Sequence, residues 1–387
     1  MSMSFQSRQE YLNVMRKRYR QVSSREEKSR LIDEAVDTLG YHRKSLIREL
    51  NRSVSRKTIK QKRVKPLKYQ AALPAIELVW EALDYPCAER LHPVLATTAQ
   101  RLAAFGELPL STEVLSQLQQ ISRPTLGRYL KRLESPKATR RIPRKKPSPI
   151  ASVIPVDRYD WDEQRPGALE IDLVEHNGGN THGHYGYTLT VVDIVSGYSH
   201  RRAVLGRAQA VVLGALHHIL SDWPFEPWGL HSDNGNEFLN DQLYRFCQSE
   251  KITFTRSQPY RKNDNAHVEQ KNKQFVREFV GYDRYDTPED IDWLNDVYMH
   301  LDLYANMVLP MRKVISKERI GKKIRKRYDT ARTPLTRLIE AGVMTSEMTQ
   351  RLKEIEQYLN PLELHRTIEN LLAEGPAKLM ERESIPN

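Results

Sequence analysis

Only two cysteines, Cys87 and Cys247, occur in 387 residues, and they lie far apart. That excludes a disulfide framework and a cysteine-rich zinc site, and free reduced thiols are expected. Long apolar runs are also missing. None approaches the ~18–20 residues of a membrane span, and the N-terminal segment has no stretch of signal-peptide type. A cytoplasmic chain without a membrane partner is expected. No G-x-x-x-x-G-K-[ST] loop is present, so nucleotide hydrolysis is not expected. His176, His184, His231 and His267 lack metal-ligand spacing, and structural roles are expected for each. The chain is 39% hydrophobic, which suits a globular protein of ~2–3 domains.

Charge is abundant but unevenly placed. The net charge is +12, yet residues 1–150 hold 31 Lys+Arg against 14 Asp+Glu, and residues 151–300 hold 14 against 23. Residues 301–350 turn basic again, with 11 against 5. Basic blocks suit phosphate backbones, and an acidic block suits carboxylates that collect cations. A solvated surface explains any single run equally well. Charge, proline and periodicity together divide the chain into expected parts: 1–68 and 69–135, two basic helical domains; 136–156, a basic linker; 157–305, an acidic domain; and 306–387, a basic, partly helical C-terminal region.

The N-terminal third reads as all-α. Ser24-x-x-Glu27 is a capping-box pattern, followed by Leu31, Ala35, Val36 and Leu39 at helical spacing. Gly40 marks a stop or turn, and a basic helix pattern follows over 41–52. Its Leu46, Ile47 and Leu50 face inward, leaving Arg43, Lys44 and Arg48 outside. Residues 111–134 repeat the theme, with Ser122 as N-cap and Arg123, Arg128 and Lys131 along the second helix. Two basic helix-turn-helix patterns in one arm favour DNA binding over plain helical packing.

The Pro-rich basic stretch 135–155 is the clearest linker, and strands begin at 168. In 168–176, Leu169, Ile171 and Leu173 alternate with Glu170 and Asp172. Two strands are expected in 185–207, with a turn near Ser196-Gly197, then a helix over 208–223. A strand at 229–233, a helix at 237–250, a strand at 252–257 and a helix at 265–282 capped by Asn265 complete the pattern. This order implies a layered α/β domain. Asp172, Asp233 and Glu269 fall on separate elements near their ends and are placed to converge. A lone acid is usually just solvated. That reading is weakest for Asp172, which lies inside an apolar run.

Four pieces then carry a resemblance: 169–179 (LEIDLVEHNGG), 189–198 (LTVVDIVSGY), 231–238 (HSDNGNEF) and 259–272 (PYRKNDNAHVEQKN). With 35 residues between Asp233 and Glu269, they resemble the catalytic core of the DDE transposase and retroviral integrase superfamily. The wording is most similar to integrase-core transposases of bacterial insertion sequences. The resemblance covers about a third of the chain. It implies an RNase H-like fold, a mixed sheet with flanking helices. It also implies that Asp172, Asp233 and Glu269 are the catalytic triad and hold two Mg²⁺ ions, with Mn²⁺ able to substitute. The implied reaction is DNA cleavage followed by 3′-hydroxyl strand transfer.

Two ions ~3.5–4 Å apart can clamp the attacking and leaving oxygens of an in-line displacement at phosphorus. Hard ions want oxygen ligands, so carboxylates suffice. The implied partners are double-stranded DNA at element ends and target, and further copies of the chain on that DNA, near the nucleoid. Lys273 and Lys262 are candidate DNA contacts. Lys273 and Arg277 follow Glu269 at helical spacing, and a Glu269–Lys273 surface pair fits as well. Asp193 matches a family position that is not a ligand, and Asp264 is expected in a turn or cap. The N-terminal zinc module of retroviral integrases is absent, since Cys87 alone precedes the core.

Beyond the core, the basic stretch 311–337 suggests phosphate contact or a third DNA-binding element. The tail 347–375 is expected to be helical, packed on its own chain or on a partner. Two other functions stay open: a DNA-binding regulator with a silent core, and a metal-dependent nuclease without strand transfer.

Overall fold

The computed structural model describes residues 3–52, 68–133, 165–232, 237–238, 241–256, 265–320 and 323–376. The chain divides into two compact units, residues 1–66 and 67–387.

The first unit is three helices, α1 (Phe5–Gln21), α2 (Arg25–Leu39) and α3 (Arg43–Asn51). Their apolar stripes close one small core of Leu12, Met15, Leu31, Ile32, Ala35, Leu39, Leu46 and Leu50. Gly40 ends α2 at φ +67, in the left-handed region that glycine enters without a Cβ clash. The expected capping box does not form, because the Ser24 side chain makes no cap hydrogen bond.

The second unit opens with α4 (Leu73–Ala82), α5 (Ala88–Leu91), α6 (Leu95–Ala104), α7 (Thr112–Gln120) and α8 (Arg123–Leu130). Pro124 sits in the first turn of α8, while Ser122 again makes no side-chain cap bond. A five-stranded sheet follows, ordered β3-β2-β1-β4-β5. Its strands are β1 (Ala168–His176), β2 (Gly186–Asp193), β3 (Ser199–Leu205), β4 (Gly229–Ser232) and β5 (Thr253–Arg256). β1 runs antiparallel to β2 and parallel to β4, so the sheet is mixed, as expected.

Helices flank both faces of the sheet. Leu169, Ile171, Leu189 and Val191 pack against α9 (Gln209–Ser221) and α10 (Asp241–Ser249). The opposite face lies under α11 (Ala266–Lys271), a π-helical segment Asn272–Arg277, and α12 (Pro288–Leu303). α12 starts with a formed capping box, Thr287 with Asp290. Together with the π-helical segment Tyr304–Val308 that follows, it closes the free edge of β3. Asn295, Asp302 and Asn306 accept from the backbone N–H groups of Ala203, Arg201 and Ser199. A strand edge left bare would template aggregation.

The turn between β2 and β3 needs glycine. Gly197 has φ +74, and a Cβ there would lie 2.5 Å from Met311 Sδ. Asp193 serves the same turn, accepting from Gly167 N, Ser196 N and Ser196 Oγ.

The C-terminal part contains more than helices. The basic stretch forms a two-stranded antiparallel ribbon, β6 (Val314–Ile320) and β7 (Lys323–Tyr328). After it come α13 (Pro334–Ala341), α14 (Ser346–Tyr358) and α15 (Pro361–Glu374). Leu362, Leu364, Ile368 and Leu371 of α15 share one core with α4, α6, α8 and α12. The tail therefore packs on its own chain, and α4–α8 close their core together with elements far along the sequence. Among the described residues, no helix is long and apolar enough to cross a membrane.

Candidate active site

The alternation in β1 sends Leu169 and Ile171 into the α9–α10 layer and Glu170 and Asp172 to the other face. α11 covers most of that polar face, leaving Asp172 half-buried. Glu170 is 6% exposed. Its Oε2 accepts from His267 N and Val268 N, both at 2.9 Å. These are first-turn N–H groups, which lack partners inside their own helix. Asn265, expected to cap this helix, makes no side-chain cap bond and instead donates to Ile171 O at 3.4 Å. The helix bearing Glu269 is thus tied to two adjacent residues of β1.

Asp172 is tied to the same helix. Its Oδ2 accepts from Asn272 Nδ2 at 2.8 Å, and its Oδ1 from Leu173 N at 2.9 Å. Asn272 is buried and stands three residues past Glu269. Residues three apart share a helix face, so Glu269 is carried on the Asp172 side. The α-helical pattern expected over 265–282 ends early, with the π segment beginning at Asn272. Such single π turns frequently mark functional sites.

The electrostatics reflect burial first. Burial pushes the Glu170 carboxyl up to about 8, and Glu269 and Asp172 add to the rise against the two backbone donors. Burial also raises Glu269, although much of that residue is exposed. Thr190 is the cross-strand partner of Asp172. Among the described residues, Thr190 Oγ1, Asn265 Oδ1 and Asn272 Oδ1 are buried without a hydrogen-bond partner. An all-oxygen donor set of this kind fits a hard divalent ion.

The third expected acid falls just outside this description. β4 ends at Ser232, which pairs with Ile171 beside Asp172. Asp233 follows in sequence and, like Lys262 and Asp264, lies outside the described residues. Among the described residues, no three His, Cys, Asp or Glu side chains gather to hold a metal.

The expected DNA contacts are distributed as follows. Lys273 is exposed beside the acids. Arg277 folds back instead, donating to Glu175 O at 2.8 Å and stacking over Tyr282. On α3, Lys44 and Arg48 are exposed, whereas Arg43 pairs with Asp33 and donates to Ser29 Oγ. Arg123 and Lys131 are exposed on and just after α8, and Arg128 is bonded to Pro124 O and Thr125 Oγ1. His176 and His231 are bonded to Thr188 and Thr255. Glu170 and Asn272 are the site residues that sequence reasoning passed over. One signal was available: a second acid on the polar face of β1, two residues before Asp172.

No family model matches the chain. An uncharacterized protein, y4rM, of Sinorhizobium fredii is 34% identical over 337 residues, covering 86% of this chain and 95% of that protein. The fold search returns retroviral integrases. The catalytic core of HTLV-2 integrase in complex with magnesium is 17% identical and covers 38% of this chain and 91% of its own, at TM-score 0.29. The BIV integrase core is 16% identical, with 46% and 95% covered, at TM-score 0.31. A simian T-cell lymphotropic virus intasome chain, from a complex with a PP2A regulatory subunit, is 16% identical, with 57% and 72% covered, at TM-score 0.32.

Proposed function

We propose that this chain, which belongs to the same protein family as y4rM of Sinorhizobium fredii, is a DDE-type DNA transposase. It binds element-end DNA, cleaves it, and joins the freed 3′-hydroxyl to target DNA. The observation that carries the reading is the tie between β1 and the α11 region. Asn272 holds Asp172, Glu170 holds the first turn of α11, and Glu269 rides between them. The 35-residue interval from Asp233 to Glu269 and its flanking motifs support the same reading.

Asp172, Asp233 and Glu269 are the proposed holders of two Mg²⁺ ions. Bound there, the ions supply Lewis acidity for an in-line displacement at phosphorus. The chain itself fixes the ligands: Asn272 and Leu173 N orient the two oxygens of Asp172, and Glu170 fixes the helix. Such outer partners typically matter 10–100-fold. Lys273 and Lys262 are proposed to hold phosphates near the acids. The helical arms, with Arg43, Lys44 and Arg48 and with Arg123, Arg128 and Lys131, are proposed as helix-turn-helix readers of the element ends. Both ends must be held together during joining, so the working form on DNA is proposed to be a homo-oligomer.

The test uses purified protein, Mg²⁺ or Mn²⁺, and DNA bearing the inverted repeats that flank its gene. Joining to a target plasmid is expected, and so is its loss in Asp172→Asn, Asp233→Ala and Glu269→Gln. Joining that survives these changes refutes the metal assignment. Cleavage without joining makes the protein a nuclease, and specific end binding without cleavage makes it a regulator.

A further inference from the structure

The β6–β7 ribbon stands apart from the rest of the second unit. Residues 314–328 hold seven Lys or Arg against a single acid, Glu318. Residues 315–320 and 324–328 are exposed, including Ile324 at 63%. An isolated two-stranded ribbon is marginal in water. Here Lys317 also sits directly opposite Lys326, and like charges so placed destabilise a ribbon further. The root is anchored. Lys313 Nζ donates to Ile194 O and Val195 O, and Asp329 accepts from Lys313 N and pairs with Arg337.

The register says what kind of partner fits. Directly paired residues share a face, and faces alternate along a strand. Lys317 and Lys326 therefore lie on one face, and Arg325 and Arg327 on the other. The isoleucines are divided too, Ile324 on the first face and Ile320 on the second. A flat anionic membrane selects segregated apolar and cationic faces, which this ribbon lacks. A duplex groove has a phosphate wall on each side. The major groove, roughly 12 Å wide, admits a two-stranded ribbon.

We infer that β6–β7 inserts into the major groove of duplex DNA and grips both phosphate walls. The inference rests on the transposase reading for its DNA but concerns a different surface. The anchored turn is paired beside the Ala168 end of β1, four residues from Asp172, on the order of 13 Å along the strand. The grip is therefore outside the reacting site and sets affinity and register rather than chemistry.

The experiment is duplex binding by the full chain in EDTA, over about 50–200 mM salt, where no cleavage intervenes. In Arg325→Ala/Lys326→Ala/Arg327→Ala, affinity is expected to fall at least about tenfold, and the log–log salt slope to shrink by up to about 2.7, near 0.9 per lost phosphate contact. Arg325→Lys/Arg327→Lys, which keeps the charges, is expected to keep the slope. An unchanged slope in the triple variant overturns the inference. So does a triple variant that loses self-association, or binding to anionic vesicles, while DNA binding stays intact. Because the readout is metal-free, a ribbon-dependent slope with no strand transfer defeats the transposase reading alone. Strand transfer with a ribbon-independent slope defeats this inference alone.

Discussion

β1 and the β6–β7 ribbon both combine apolar and ionisable residues, and they come to opposite ends. In β1, Leu169 and Ile171 commit one face to the α9–α10 core, which leaves Glu170 and Asp172 on the other. In the ribbon, apolar and cationic residues are mixed on both faces, and among the described residues no layer covers either. Segregation makes a strand part of a core and gathers its charges at one place. Mixing leaves a strand outside, with its charged side chains exposed.

A charge exchanged between the two regions gives the widest contrast. Ile171→Asp places a carboxylate on the fully buried face and is expected to cost more than about 4 kcal/mol, which unfolds the unit. Lys326→Asp is expected to stay within about 0.5 kcal/mol. Denaturant midpoints measure both, and equal losses would erase the distinction. Smaller, and confined to β1, is the effect of its ties. Asn272→Ala is expected to lower cleavage or raise the Mg²⁺ needed for half-activity by about 10–100-fold, with unchanged circular dichroism. A variant with native metal dependence removes Asn272 from the site.

Glu170 separates shape from charge. Glu170→Gln keeps an oxygen that accepts from His267 N and Val268 N and is expected to fold near normally. Glu170→Ala leaves two donors unmet, at about 1–3 kcal/mol each. Equal stability of the two variants would contradict the tie. The least effect at neutral pH concerns His176. Burial, and then Arg277, lower it from 6.5 to about 3. The unfolded chain takes up a proton near pH 6.5 that the folded chain refuses until about 3. Stability is therefore level above 6.5 and falls as pH drops through that window. His176→Gln is expected to flatten the slope there, and an unchanged slope would assign the acid loss elsewhere.

Much of the core was legible because period-2 and period-3.6 patterns are local. β1, the β2–β3 pair with its turn at Gly197, α9, β4 and β5 all fall within a few residues of their expected places. Capping was less legible. Ser24 and Asn265 carry cap-forming side chains that go unused, and Glu170, about a hundred residues away, supplies the bonds at Asn265's helix instead. Nor does any local pattern announce the π segment, where tertiary contact with β1 turns Asn272 inward. Composition did not reveal that the basic stretch is a ribbon, since charged residues mixed on both faces give no clear period.

The sequence by itself determined the acid types, their spacing, the charge blocks and most elements of the sheet, because these follow from local pattern and residue chemistry. Tertiary structure decided which face of β1 is covered by α11, which side chains outside the expected triad hold Asp172 and the Glu269 helix, and that the basic ribbon stands uncovered. Those outcomes depend on contacts between residues about a hundred positions apart, and on the absence of a matching surface for the ribbon among the described residues.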